Sequence, residues 1–387
     1  MTDAASLHEA EHAARVRAHL ATLVAAEGGF LPFDRYMAAA LYAPGLGYYS
    51  AGAHKLGAGG DFTTAPEISP LFGRCIAAQC EPLLRALPGA QILELGPGSG
   101  RLAADVLTEL AARDALPARY ALLEVSADLR ERQRERLAAL PPQLAARVVF
   151  LDAPPPADWR GVLLANEVLD ALPCEAFALR AGGIVERGVG LGPDGRFAWR
   201  ERPAPAQIEA EVRRVLADLP EPVEPGYSSE LCRRVGPWIA EVTARLTQGV
   251  ALFIDYGLPR AQYYHPTRAT GTLRCHYRQR AHEDPFAHPG LEDLTAWVDF
   301  TRIAEAADVC GLDVLGFTSQ AAFLLGTGIE SMLAAEKDAV LHARRVSEAR
   351  QLLLPDAMGE AFKVLALGRG WDPPLAGFAH QDLLNRL

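Results

Sequence analysis

The 387-residue chain has no apolar run approaching the ~18 residues needed to cross a bilayer, so no membrane insertion is expected. Its six cysteines (75, 80, 174, 232, 275 and 310) form no C-x-x-C pair, which argues against a zinc ribbon or disulfide framework and for buried thiols in a reducing compartment. The N-terminus, MTDAASLHEAEHAARVRAHL, lacks an apolar signal core, and its acidic residues disfavour a transit peptide. A cytoplasmic protein is expected, and the Ala-, Arg- and Pro-rich composition has a bacterial look. A basic excess is missing too: 38 Lys and Arg face 48 Asp and Glu, a formal charge of −10. Neutralising phosphates needs the opposite sign, so no nucleic-acid partner is expected. There is no internal repeat and no low-complexity linker, and the oligomeric state stays open, a homodimer included.

Half of the residues are hydrophobic and 22% are charged, which predicts a well-formed core. Residues 5–27 read as an amphipathic helix with Val16, Leu20, Leu23 and Val24 at helical spacing. A Gly- and aromatic-rich segment follows, then a helix from Ser69-Pro70 through LFGRCIAAQCEPLLRAL. From Gln91 strands and helices alternate, which predicts an α/β fold with a mostly parallel, about seven-stranded sheet covered on both faces. The organisation expected is an N-terminal helical and lid segment (1–88), a first part of the core (89–170) and an insertion of antiparallel strands and a helix (171–229). The core then resumes (230–257), is broken by an Arg/His-rich insertion (258–291), and finishes in 292–387. Helices are expected at 230–247 and through DLTAWVDFTRIAEAADVCG.

The most informative stretch is QILELGPGSGRL (91–102), an apolar strand ending in Gly96, Gly98 and Gly100. Such a corner turns sharply and lets a ligand touch backbone. A dinucleotide fingerprint would place its third glycine at position 101, where this chain has Arg101. The spacing instead gives E-x-G-x-G-x-G from Glu94, the form usual in S-adenosylmethionine enzymes. Glu124, near the end of the next strand, can accept hydrogen bonds from both ribose hydroxyls, a device NAD enzymes share. Asp152, after the third strand, sits where an acid can reach an adenine amino group, or where a turn former precedes three prolines. In ANEVLDALP, Asn166 and Glu167 should emerge at the carboxyl edge of the sheet. If a helical turn begins there, Glu167 and Asp170 share a face and can hold a cationic or amine nucleophile beside a cofactor methyl; N-capping is the plainer reading.

These stretches together, GDFTTAPEIS (60–69), LELGPGSG (93–100), LLANEVLDALP (163–173), FIDYG (253–257), GTLRCHYRQRAHEDPF (271–286) and DLTAWVDF (293–300), resemble the MidA-like family of S-adenosylmethionine (SAM)-dependent methyltransferases. The resemblance spans about residues 28–370. It implies a class I, Rossmann-like methyltransferase fold with SAM at the glycine corner. It also implies that the GDFTTAPEIS loop folds over the cofactor, with Asp61, Phe62, Thr63 and Thr64 near it. The acceptor it implies is a protein arginine, on a respiratory complex I subunit, with Glu167, Asp170 and Asn166 at the transfer site. Gln279 and Trp297 stand where relatives often carry histidine.

Two metal-like patterns are weak. HEAEH (8–12) fits H-E-x-x-H but has no third ligand nearby, and His276, His282 and His288 with Glu283 and Asp284 match no standard ligand spacing. No metal is expected. A protein arginine methyltransferase leads. A non-catalytic SAM-binding assembly factor and a small-molecule methyltransferase remain alternatives, and Arg101 counts against an NAD oxidoreductase.

Overall fold

The computed structural model describes residues 2–50 and 63–387. Seven strands form its central sheet: β1 (Gln91–Leu95), β2 (Tyr120–Leu123), β3 (Val148–Leu151), β4 (Trp159–Asn166), β5 (Leu246–Leu258), β6 (Asp313–Ser319) and β7 (Phe362–Arg369). Their spatial order is β6-β7-β5-β4-β1-β2-β3, with Val298–Asp299 added beside the carboxyl end of β5. β7 alone runs antiparallel to its neighbours. Every inner strand is buried on both faces, and the period of two divides its side chains between two cores. Ile92, Val162, Leu164, Val250 and Leu252 pack against Pro70–Ala86 and Arg101–Ala112, whereas Leu93, Leu163, Ala251 and Phe253 pack against Val235–Thr243 and Phe300–Val309. The order reverses between β1 and β4, which opens a crevice at the carboxyl ends of these strands.

A third core joins the N-terminal helices Thr2–Ala26 and Phe33–Tyr42 to Ala171, Cys174 and Cys275. The insertion after β4 makes an antiparallel sheet of Glu175–Arg180, Gly183–Leu191, Phe197–Pro203 and Ser228–Leu231, to which Leu31–Pro32 adds an edge. Arg274–Tyr277, Arg280–His282 and Asp293–Thr295 form a small third sheet.

Two helices expected from sequence begin later than predicted. Residues 228–231 are a strand, because Ser228–Leu231 pairs with Glu175–Ala178, and the helix starts at Val235. Asp293–Thr295 is likewise a strand on Arg274–His276, and the helix starts at Phe300, capped by Asp299 accepting from Arg302 N. In both places strand pairing across insertions outweighs local helical spacing. No helix among the described residues is long and apolar enough to cross a membrane.

Candidate active site

The corner after β1 carries left-handed backbone at Gly96 (φ 57°) and Gly98 (φ 53°), which is why glycine stands there. A Cβ on Gly96 would lie 2.9 Å from Val168, so the loop after β4 closes directly on the corner. Gly100 has a packing role instead. It caps Arg101–Ala112, its Cβ would meet Gln133 at 3.3 Å, and it lies outside the cavity lining.

Over this corner opens a cavity with about 830 Å³ of empty space, part of it open to solvent. Gly96, Gly98, Glu94 and Glu124 all line it. Glu94 is buried and accepts from the Tyr120 hydroxyl at 2.8 Å; burial pushes its carboxyl up to about 7, Tyr120 opposes this and the Glu124 charge adds to it. Glu124 accepts from Ser126 N (2.8 Å) on one oxygen and from Gln133 Nε2 (3.1 Å) on the other. Gln133 also donates to Gly98 O at 2.8 Å, so acid and corner are held in one frame. A carboxylate held in this way at the end of a strand is suited to accept from a ribose diol. Beside it Leu102, Leu129 and Val125, the last 80% exposed, offer apolar surface to a flat ring.

Asn166 and Glu167 line the opposite side. Glu167 has φ 55°, rare for a non-glycine residue, and its amide donates to Ile254 O at 2.9 Å. Asn166 Nδ2 donates to its carboxylate at 3.1 Å. Burial first, then the Asp170 charge, push the Glu167 carboxyl up to about 8, against the Asn166 amide and the backbone N–H of Ala65.

One expectation is corrected, and other expected site residues fall outside the cavity lining. The turn after β4 is not helical, and Asp170 does not line this cavity; it faces a smaller adjoining one with Trp297, Asp299 and Arg302. Burial pushes its carboxyl up to about 6, so it acts on Glu167 through space rather than by sharing a helical face. Asp152 also stays outside the lining, because its carboxylate is 90% exposed and engages Arg130 at 2.5 Å. Of the loop residues, Thr64 lines the cavity, Thr63 is exposed and outside it, and Asp61 and Phe62 lie outside the described residues. Glu67 joins the lining and accepts from the Ser99 hydroxyl, linking this loop to the glycine corner.

Sequence reasoning missed Tyr42 and Tyr49, whose stacked rings form another wall. Tyr42 donates to Ala171 O and Tyr49 to Asp293 Oδ1, both at 2.9 Å. The aromatic-rich YAPGLGYY stretch was the available signal. Asp255 in FIDYG was also passed over. Fully buried, it accepts from Leu169 N (3.0 Å), Asp170 N (3.3 Å) and Tyr256 N (2.9 Å), and so fixes the turn that carries Glu167. Of the two positions where relatives often carry histidine, Gln279 sits exposed at a hairpin tip outside the lining. Trp297 packs edge-on against Tyr256 with Arg268 over its ring at 4.9 Å.

Comparison with known proteins agrees with this geometry. A crystal structure of a COG1565 superfamily member from Burkholderia thailandensis, bound to S-adenosyl-homocysteine, superposes with a TM-score of 0.93 at 44% identity, covering 98% of each chain. The chain is 31% identical over 382 residues to the protein arginine methyltransferase NDUFAF7, mitochondrial, of Danio rerio, covering 90% of this chain and 86% of that protein. It is 32% identical over 374 residues to the Mus musculus protein of the same name, covering 88% and 81%. A family model for S-adenosyl-L-methionine-dependent methyltransferases matches residues 75–318. Cofactor, enzyme class and fold follow, and the chain belongs to this family of SAM-dependent methyltransferases.

Proposed function

We propose that the protein methylates an arginine side chain of a protein acceptor, with Glu167 as the carboxylate that receives the guanidinium. The observation carrying this reading is Glu167 itself: a strained, half-buried acid at the cavity edge, beside two further buried acids, Asp170 and Asp255. Burial pushes the Asp255 carboxyl well above the usual carboxylate range, with the Asp170 and Glu167 charges adding. An entering guanidinium reverses that electrostatic cost, because a cation within a few ångströms favours the ionised carboxylate. The names of the relatives support the same acceptor chemistry.

SAM, when bound, supplies an electrophilic methyl group on a sulfonium. The chain's own residues orient and exclude water. Glu124 and the Gly96–Gly98 corner fix the cofactor, and Tyr42, Tyr49 and the Thr64–Glu67 segment wall off solvent. Glu167 accepts charge-assisted hydrogen bonds from the guanidinium, fixing its plane and polarising the attacking nitrogen. Asn166 holds that carboxylate, and Asp170 works on it electrostatically from behind. For the acceptor we propose a respiratory complex I subunit, as the sequence resemblance implies, met in the cytoplasm.

Glu167→Gln should leave SAM affinity within a few-fold of wild type and lower methylation by ~100-fold or more, since orientation and charge act in the transition state. Methyl-arginine mapping by mass spectrometry compares complex I subunits from cells with wild-type enzyme, the variant and none. Identical maps would reject the acceptor, and normal turnover of the purified variant on a verified acceptor would reject the role of Glu167.

A further inference from the structure

Outside the methyl-transfer site, the third sheet gathers three ligand-type side chains. Cys275 pairs directly with His282 across the Arg274–Tyr277 and Arg280–His282 strands, so their side chains point the same way. Cys275 also pairs with Leu294 on the other side, and Glu292, which leads directly into that strand, brings its carboxylate to within 3.0 Å of His282 Nε2. Ligand atoms of Cys275, His282 and Glu292 all lie within 4.8 Å of one another. Linear spacing hides this group, because seven and ten residues separate members that the sheet places side by side.

The polar atoms of this group converge closely. Glu292 is 2% exposed, and its Oε1 accepts from His288 N at 3.3 Å. Its Oε2 lies 3.0 Å from His282 Nε2, yet both atoms are buried and neither has a hydrogen-bond partner. That separation is an ion-pair distance, and the same two atoms converge with the Cys275 thiol as ligands of a shared cation would. Two ligands converging on one cation look like this. A tetrahedral zinc holds its nitrogen, oxygen and sulfur ligand atoms about 3.3–3.6 Å apart, a spacing small side-chain rotations reach from here.

We propose that Cys275, His282 and Glu292 form a structural divalent-cation site of zinc type, completed by water. Thiolate, imidazole and carboxylate together are a borderline donor set that suits zinc, and Cys275 binds after releasing its proton. His282 is 29% exposed and gives the ion an entry path. The bound ion ties the 274–282 hairpin to Asp293–Thr295, the strand whose Asp293 receives the Tyr49 hydroxyl at the cavity wall. The site is thus a clamp on the scaffold, apart from the methyl-transfer chemistry.

The test uses the full chain without an affinity tag, stripped by a chelator and titrated with Zn²⁺ against a chromogenic competitor, then with Co²⁺ for its spectrum. About one equivalent should bind, and the Co²⁺ form should show a sulfur-to-metal charge-transfer band. Cys275→Ser should abolish that band, and His282→Gln, at a half-buried position, should weaken binding by ~100-fold or more while the circular dichroism spectrum stays native. His8→Gln with His12→Gln should bind as wild type does. Absence of stoichiometric binding by the folded wild type, a cobalt spectrum without the sulfur band, or binding lost with His8 and His12 but kept in Cys275→Ser would each overturn the proposal.

Discussion

Glu167 combines a left-handed backbone with a raised carboxyl pKa, and each has a measurable consequence. The backbone conformation alone costs of order 1–3 kcal/mol. The charge adds a cost that depends on pH. In the unfolded chain the carboxyl titrates near its usual 4.5, and in the folded protein near about 8. Below the unfolded value it is protonated in both states and contributes nothing. As pH rises through that window the unfolded chain ionises first, so the folded state loses stability until about 8. Glu167→Gln should therefore stabilise the protein by ~1–2 kcal/mol at high pH, discounted for partial exposure, and by nothing in acid. Denaturant midpoints at the two ends of the window check this, and equal midpoints at both would contradict it. At the corner, Gly98→Val should abolish SAM binding in calorimetry, because φ 53° is closed to a β-branched residue. Glu124→Ala should weaken binding by ~1.5–3 kcal/mol through lost charge-assisted hydrogen bonds. Glu94, Gly96, Gly98, Glu124, Asn166 and Glu167 could be picked out of the sequence because each follows or ends an apolar strand, where a carboxyl-edge site must be. Tyr42 and Tyr49 could not, since nothing local says that a helix near the N-terminus folds back over that edge.

At the level of elements, the turn after β4 shows where reading by spacing stops. Asn166 to Pro173 has acids at i and i+3, which suits a helical turn, but the backbone here bends under outside control. Asp255, from the end of β5, takes up the Leu169 and Asp170 amides, and Glu167 N bonds to Ile254 O. A neighbouring strand thus supplies the acceptors that a helix would have supplied internally. The same competition turned 228–231 and 293–295 into strands. In contrast Ser126 caps its own helix locally, accepting from Leu129 N at 3.5 Å. Asp255→Ala should remove the acceptor of two buried amides and one part-buried amide and destabilise the protein by ~2–4 kcal/mol. It should also cut methylation far more than SAM binding, because the glycine corner and Glu124 do not depend on it. Chemical denaturation and calorimetry on the same preparation separate the two effects, and an equal fall in cofactor binding and turnover would show that Asp255 supports the whole crevice instead.

The molecule as a whole is a sheet whose active edge is finished by segments distant in sequence. The alternation of strands and helices from Gln91 onward fixes the sheet, since period-two burial on both faces leaves few other arrangements. Its roof depends on long-range contacts that no local pattern announces. Tyr42 reaches the loop after β4 through Ala171 O, and Tyr49 reaches the third sheet through Asp293. Both hydroxyls belong to the N-terminal unit, whose own core is continuous with Ala171, Cys174 and Cys275. Removing both hydroxyls, with Tyr42→Phe and Tyr49→Phe together, keeps the stacked rings and deletes only the ties. The expected loss is ~1–3 kcal/mol, two part-buried hydrogen bonds at ordinary strength. It should be local: amide hydrogen exchange should quicken in residues 33–50, 167–172 and 293–295, while β1, β4 and β5, held by both sheet cores, exchange as in wild type. Faster exchange throughout the central strands would mean that roof and sheet open as one cooperative unit, and unchanged exchange everywhere would mean that ring packing alone holds the roof down.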